Sequence, residues 1–568
     1  MSYASYLPRR AGYPARLIGG AKLLLVAGII AGTNPDVLER AQLLVSQGRI
    51  GTLGVFAAVW AIAIVATFVA AFEKSTASRA FWALMIALSS ASAWGYRKVS
   101  GSELTVFDAV AFWDARHEGG NAVAVHGAAI WAGAILAVAA FAVFLFPVRR
   151  PASRGRLWRL SPVVPALPII LIAGIVYAKS GNGSQAMPKQ FSHVSIGLLM
   201  AYKTVFHPAP VRAQPVWASD PDGAVRKIVM LVDESVRPDY LDPKGVTGET
   251  PQFAEVAQRL VDFGPAASGG ICSSYANAIL RFGAARRDLG GAINANPTLF
   301  AYAKRAGYRT VFIDAQAHTL KNTDLLQNFM TPAEKADIDG FYALAEATAA
   351  TADRALEDIV VRELKTSGKV FIYANKQGAH FPYDRGYPAQ AAIHHPTVTE
   401  SGGSTYESNI ASYRNALGWN VDNFFGSFFA RADLADAALI YTSDHGQSLN
   451  PETLTHCVSD NADPRMALVP LFAFAGDRVL HEELKAGSQR SRFRASHFQI
   501  APTLLAWMGY PANAIAERYG ESLTAGPRGA PAFALGDIFG LFSSDVRWME
   551  IDLSRDYLER PMATAAME

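Results

Sequence analysis

The strongest constraint on this chain is where its long apolar stretches fall: all of them precede residue 180 of 568. Five stretches, at about 17–33, 50–72, 80–96, 127–148 and 162–179, each approach the ~20 residues that cross a hydrocarbon core. They account for a 51% hydrophobic content and a mean hydropathy of +0.13, above the usual range for a soluble protein. The pattern predicts an N-terminal α-helical transmembrane bundle of about five spans over residues 1–180. The first and third stretches are shorter and richer in Gly, Ala and Ser, so a re-entrant or buried segment is the alternative for each.

Charge fixes an expected orientation. Arg9, Arg10 and Arg16 precede the first stretch, Lys74 and Arg79 separate the second and third, and Arg149, Arg150, Arg154, Arg156 and Arg159 separate the fourth and fifth. The positive-inside rule makes these segments cytoplasmic, and an odd number of spans then places everything after residue 180 outside the cytoplasm. The first stretch lacks a small-residue cleavage pattern and reads as retained. The segment 105–117 reads as lying along the outer interface, and 187–206 reads either as an interfacial helix or as a linker with buried apolar residues. Residues 181–222, with His207-Pro208-Ala209-Pro210 inside them, form the expected linker to a second domain over 223–568. A net charge of +3 without a basic stripe excludes nucleic acid as a partner.

From Lys227 onward, short apolar runs alternate with amphipathic stretches. Ile228–Val232, Thr310–Ile313, Val370–Tyr373, Ala438–Thr442 and Leu468–Phe474 are the predicted strands. Pro251–Leu260, Thr298–Ala306, Ala349–Thr366, Tyr413–Ala430 and Gln499–Met508 are the predicted helices. This alternation predicts an α/β domain with a largely parallel central sheet, whose site lies beyond the carboxyl ends of the strands. Three of the runs lead into polar residues: Asp233-Glu234, Asn375-Lys376 and Ser443-Asp444-His445.

Asp444-His445-Gly446 offers a hard oxygen and an imidazole nitrogen to one cation, although a capping Asp beside a surface His would look the same. Asp233-Glu234 reads either as metal ligands or as an ordinary strand exit. In Cys272-Ser273-Ser274 a hydroxyl sits at a loop-to-helix junction, where it is either an N-cap or a nucleophile needing activation by a metal.

Taken in order, these elements make the soluble half resemble the sulfatase-like hydrolase/transferase branch of the alkaline phosphatase superfamily. The whole chain resembles membrane-bound phosphoethanolamine transferases. The resemblance implies metal ligation by Glu234, Asp444, His445 and the nucleophile Ser273, with Ser274 as competitor. It implies a second catalytic role for His380 in His380-Phe381-Pro382, and substrate binding by Lys376, Asn277 and His497. Asp233 stands where such transferases usually carry Gly and sulfatases a ligating Asp. Leu468 and Phe498 depart from the pattern and leave the second of two zinc ions open. Zn²⁺ is the expected cofactor, with Mn²⁺ the alternative. Because Ser replaces the sulfatase Cys, formylglycine chemistry is not expected. Cys272 and Cys457 read either as one bridge pinning two loops over the metal or as two buried thiols; His318, His394, His395 and His481 read as solvated or packing residues.

The implied reaction takes a phosphoethanolamine-type group from a phospholipid donor to a lipid or glycan acceptor through a phospho-Ser intermediate. The implied location is the inner membrane, multi-pass, with the catalytic domain in the periplasm. Phosphoglycerol transfer or phosphodiester hydrolysis is the alternative within the superfamily, and a non-catalytic membrane sensor or scaffold is the alternative outside it. The donor headgroup, the acceptor and the oligomeric state are not legible in the sequence.

Overall fold

The computed structural model describes residues 13–100, 103–106, 108–109, 119–148, 160–179, 181–206, 211–316, 332–344, 346–451, 453–458, 462–540 and 546–558. The basic flanks Arg9, Arg10, Arg149, Arg150, Arg154, Arg156 and Arg159 lie outside these residues, as do most of the 105–117 segment, His207 to Pro210 and His318. The chain packs as two units, one of residues 1–109 with 126–208, the other of residues 110–125 with 209–568.

All five apolar stretches are helical, in Tyr13–Thr33, Ile50–Ala71, Thr76–Ser100, Gly119–Leu145 and Ala166–Ala178, and all but the first seven residues of Gly119–Leu145 belong to the first unit. Among the described residues, however, only Ile50–Ala71 and His126–Leu145 are long and apolar enough to be spans outright. Leu17–Thr33 with Val37–Ser46, bent by 55°, makes a third if the pair is one span. Ala166–Ala178 is only 13 residues, about 20 Å of helix at 1.5 Å per residue, against a core of about 30 Å. Orphan carbonyls at two helix ends are met by cations: Lys22 Nζ reaches Phe144 O at 2.9 Å and also Ala71 O, and Arg79 Nε reaches Leu145 O at 3.0 Å. At the helix-start end of Lys189–Phe206, Lys189 pairs with Glu103 at 2.7 Å, and its backbone N–H donates to Asn34 Oδ1 at 2.9 Å.

The second unit is built on a seven-stranded sheet. Its strands are β1 (Lys227–Asp233), β2 (Val261–Ala267), β3 (Arg309–Asp314), β4 (Gly340–Ala343), β5 (Val370–Asn375), β6 (Ala437–Ser443) and β7 (Leu468–Ala475), in the order β2-β7-β6-β1-β5-β3-β4. β1 is parallel to both β5 and β6, and β3 is parallel to β4 and β5, whereas β7 runs antiparallel to β6 and β2. The sheet is therefore mixed, with one reversed strand in an otherwise parallel set. Every residue of β1 is buried, as expected of a central strand covered on both faces. Val229 and Leu231 join one core cluster, and Ile228, Met230 and Val232 join the other. A pair of short antiparallel strands, β8 (Ala532–Leu535) and β9 (Arg547–Glu550), is tied to the sheet edge by Ala534 N–H donating to Gly269 O at 2.9 Å.

Candidate active site

Because β1 lies between β5 and β6, the exits of all three strands meet at one carboxyl edge. Asp444 N–H donates to Asp233 O at 2.8 Å, and Lys376 N–H to Val232 O at 2.8 Å, so the three loops are stitched together by backbone. The fourth element comes from β2, after which the chain enters helix Ser273–Phe282 with Cys272 at its N-cap.

Ser273 Oγ lies 3.2 Å from Glu234 Oε2 and 3.1 Å from His445 Nε2. His445 Nε2 is 3.3 Å from Glu234 Oε1 and 3.6 Å from Asp444 Oδ2. His445 Nδ1 sits 2.7 Å from Gly446 O, which can only accept; the ring proton is therefore on Nδ1, and the Nε2 lone pair faces the cluster. Asp444 Oδ1 accepts from Ser235 N–H and His445 N–H, while its Oδ2 is buried with no hydrogen-bond partner. The structure thus brings Glu234, Ser273, Asp444 and His445 together; no hydrogen bond joins Ser274 to this group.

Burial pushes the Asp444 carboxyl well above the usual carboxylate range, and the charge of Glu234 adds to the shift. Burial also opposes ionisation of Glu234, but positive charge at the rings of His445 and His380, when they are protonated, counters that and holds the carboxyl low. Two carboxylates this close do not both ionise without a cation. An unpartnered carboxylate oxygen, a second carboxylate, neutral imidazole and a hydroxyl at one point form a donor set that fits a divalent metal, zinc in particular.

His456 completes the set and was not singled out as a ligand from sequence. One ligand atom each from Glu234, His445 and His456 lie within 4.8 Å of one another, and the His456 ring stacks on His445 with centroids 4.2 Å apart. It is delivered by the Cys272–Cys457 disulfide, Cα–Cα 4.5 Å, and by Cys457 N–H donating to Ile271 O at 2.7 Å. Of the two readings for the cysteines, the bridge is the one found. Gln316 was also missed: following β3, it donates from Nε2 to Glu234 Oε2 at 3.1 Å and to Lys376 O at 2.8 Å.

The other sequence candidates fall differently. His380 stacks on Phe381, which lies 5.9 Å from the His456 ring. Lys376 turns away from the cluster: its Nζ is 2.9 Å from Asp233 and 3.6 Å from Asp353, and bonds Asn420 O at 3.0 Å. Asp233 is correspondingly an ion-pair partner. Asn277, one turn beyond Ser273, accepts from Tyr373 Oη at 2.7 Å, and its buried Nδ2 has no partner. His497 is committed at both ring nitrogens, with Nδ1 accepting from Gly269 N–H at 3.1 Å and Nε2 meeting Thr442 Oγ1 at 3.2 Å. Burial pushes its pKa down to about 3, so it is a neutral strut below the site. Leu468 and Phe498 are buried in apolar clusters.

The loop carrying His380 is held by buried side chains. Asp353 accepts from Gln377 N–H at 2.6 Å and Gly378 N–H at 3.1 Å. Asn420, in the π-turn Gly418–Asp422, donates to Gly378 O and Gly386 O at 2.7 and 3.0 Å. Gly378 has φ +52, and a Cβ there would lie 2.6 Å from Glu234 O, so only glycine lets this loop rest on the Glu234 backbone.

A hydroxyl at a helix start, facing carboxylates and imidazoles at the carboxyl edge of an α/β sheet, defines a member of the alkaline phosphatase superfamily. Within it the Sulfatase family matches residues 226–510, half of the chain, and the chain belongs to that family. Among curated proteins it is 29% identical over 152 residues to a Kdo(2)-lipid A phosphoethanolamine 7''-transferase of Salmonella typhimurium, and 26% identical over 152 residues to the Escherichia coli protein of the same name. Each match spans 25% of this chain and only 27% of the relative. Among solved structures, the integral membrane lipooligosaccharide phosphoethanolamine transferase A of Neisseria meningitidis superposes with a TM-score of 0.57 at 15% identity. That superposition covers 87% of this chain and 95% of the other, a likeness of fold through both the helical and the catalytic units.

Proposed function

We propose that this chain is a membrane-bound transferase that moves a phosphoethanolamine-type group from a phospholipid to an envelope lipid or glycan, with Ser273 as nucleophile. The observation that carries the reading is the placement of Ser273 Oγ within 3.2 Å of both a carboxylate and an imidazole in a donor set fit for zinc. Glu234, Asp444, His445 and His456 would hold the ion, which when bound lowers the pKa of the serine hydroxyl and withdraws charge from the phosphoryl oxygens. Ser273 attacks the donor phosphorus, the bond to the diacylglycerol oxygen breaks, and that oxygen takes a proton. An acceptor oxygen then displaces Ser273 and gives up its own proton. His380 and the Nδ2 amide of Asn277 supply the groups suited to stabilise the equatorial oxygens. The charge flanking the apolar helices supports a cytoplasmic-membrane location with residues after 208 outside the cytoplasm, a compartment that also favours the Cys272–Cys457 bridge.

The test is intact-protein mass spectrometry after incubation with zinc and headgroup-labelled phosphatidylethanolamine. A phosphoethanolamine adduct is expected on the wild type and on Ser274→Ala, and none on Ser273→Ala. Persistence of the adduct in Ser273→Ala would remove the proposed nucleophile, and free headgroup without adduct or acceptor product would mark a hydrolase.

A further inference from the structure

Gln316 links strand exits that are not neighbours. It follows β3, and β5 separates β3 from β1 in the sheet. Asp314 on β3 and Val232 on β1 both register with Asn375 on β5, so the three exits stand level. From there Gln316 Nε2 donates to Lys376 O, past the end of β5, at 2.8 Å and to Glu234 Oε2, past the end of β1, at 3.1 Å. An amide nitrogen carries two hydrogens, and both are committed. The residue is itself anchored by the sheet. Gln316 N–H donates to Asp314 Oδ1 at 3.0 Å, Asn375 Nδ2 donates to the same oxygen at 3.3 Å, and Ala315 N–H donates to Asn375 O at 2.8 Å. Gln316, Asp314 and Asn375 are all buried.

The two oxygens of Glu234 divide their partners. Oε1 accepts from Ser235 Oγ at 2.7 Å and lies 3.3 Å from His445 Nε2, while Oε2 accepts from Ser273 Oγ at 3.2 Å and from Gln316. Each oxygen therefore has one donor from outside the cluster of Glu234, Asp444, His445 and Ser273, and together these two donors fix the plane of the carboxylate. Outer donors of this kind orient a metal-binding group before the ion arrives, so less side-chain freedom is lost on binding. Oε2 is also the oxygen that the Ser273 proton faces. When that proton leaves, the Gln316 amide remains on Oε2 and keeps the carboxylate from turning to another donor.

We propose that Gln316 is a positioning residue of the candidate metal site: acting through Glu234, it sets the carboxylate for the cation and for Ser273. The inference rests on the reading of Glu234 and Ser273 given above. The experiment uses the full-length protein in detergent and compares wild type with Gln316→Met, which keeps the length of the side chain and removes both N–H donors. Zinc affinity, measured by competition with a chelator, is expected to fall about 10–100-fold. At saturating zinc, the maximal rate of adduct formation on Ser273 from labelled phosphatidylethanolamine is expected to fall at least tenfold, with the half-saturating lipid concentration within twofold of wild type. A merely structural role would lower the melting temperature and leave the maximal rate of the folded, zinc-loaded protein unchanged. Where Gln316→Met does not fold, Gln316→Asn, which keeps an amide one carbon too short to hold both acceptors, carries the same expectations. Zinc affinity and maximal rate within twofold of wild type would overturn the proposal. So would a slower reaction that is restored by more lipid, since Gln316 would then be a substrate contact. A wild type that binds no zinc would sink the metal reading and this proposal with it, whereas a wild type that binds zinc without forming adduct would count against the transferase reading alone, and zinc affinity would still decide the role of Gln316.

Discussion

Asp233 and Lys376 face each other with both side chains fully buried, one residue from Glu234 and four from His380. Removing one partner strands a charge in the interior, which costs about 3–5 kcal/mol, whereas removing both is close to neutral. Lys376→Met is therefore expected to lower the melting temperature sharply, and Asp233→Asn with Lys376→Met to recover most of the loss. A single variant as stable as wild type would show that the pair is not closed in solution. At this scale the sequence was informative where a residue type and a strand end coincide, as at Glu234, Asp444 and His445. It was silent where the partner is tertiary. Lys376 looks equally suited to phosphate or to Asp233, and His497 shows nothing of the Gly269 and Thr442 contacts that occupy it.

Among the elements, the disulfide is the one whose removal speaks to the chemistry. It joins residues 185 apart, a closure worth roughly 2–4 kcal/mol of stability, and it sets His456 beside His445. Replacing both cysteines with alanine is expected to reduce zinc retention at least tenfold during dialysis, beyond any loss of stability, and His456→Ala with the bridge intact is expected to do the same. Unchanged zinc content in both variants would exclude His456 from the metal site. Five strands were legible because each is a continuous apolar run bounded by polar residues. β2 was not: its Asp262, Gly264 and Pro265 break the run, and a register shift between Asp262 and Pro265 accommodates them at the sheet edge. β4, four residues at the opposite edge, is too short to show a period. The reversal of β7 left no trace either, since an apolar strand reads the same in both directions. The predicted helix over Tyr413–Ala430 proves to be Tyr406–Leu417 and Asn423–Arg431 joined by the π-turn that frees Asn420 O for Lys376.

For the molecule as a whole, everything depends on the parity of the spans, and parity rests on two helices that fall short of an outright span for different reasons, one for its polar residues and one for its length. Thr76–Ser100 is long enough, about 37 Å for 25 residues, but carries Ser89, Ser92, Arg79, Arg97 and Lys98. Two of its serines are satisfied by protein, Ser89 Oγ on Lys189 O at 2.7 Å and Ser92 Oγ on His193 Nδ1 at 3.0 Å, and its cations sit near the two ends, Arg79 on the carbonyls of Leu145 and Glu73 and Arg97 paired with Asp36. Such a helix can cross a bilayer inside a bundle despite its low hydropathy. Ala166–Ala178 is apolar enough but short, and Leu160 to Pro165 ahead of it extend the apolar length. If both cross together with the bent N-terminal pair, the count is odd and the catalytic unit faces away from the cytoplasm. Protease added to intact spheroplasts is then expected to remove a C-terminal tag and to spare a tag inserted between residues 151 and 158. The reverse pattern would place the metal site in the reducing compartment, where the Cys272–Cys457 bridge would not persist, and would sink both the orientation and the lipid-facing role proposed for Ser273.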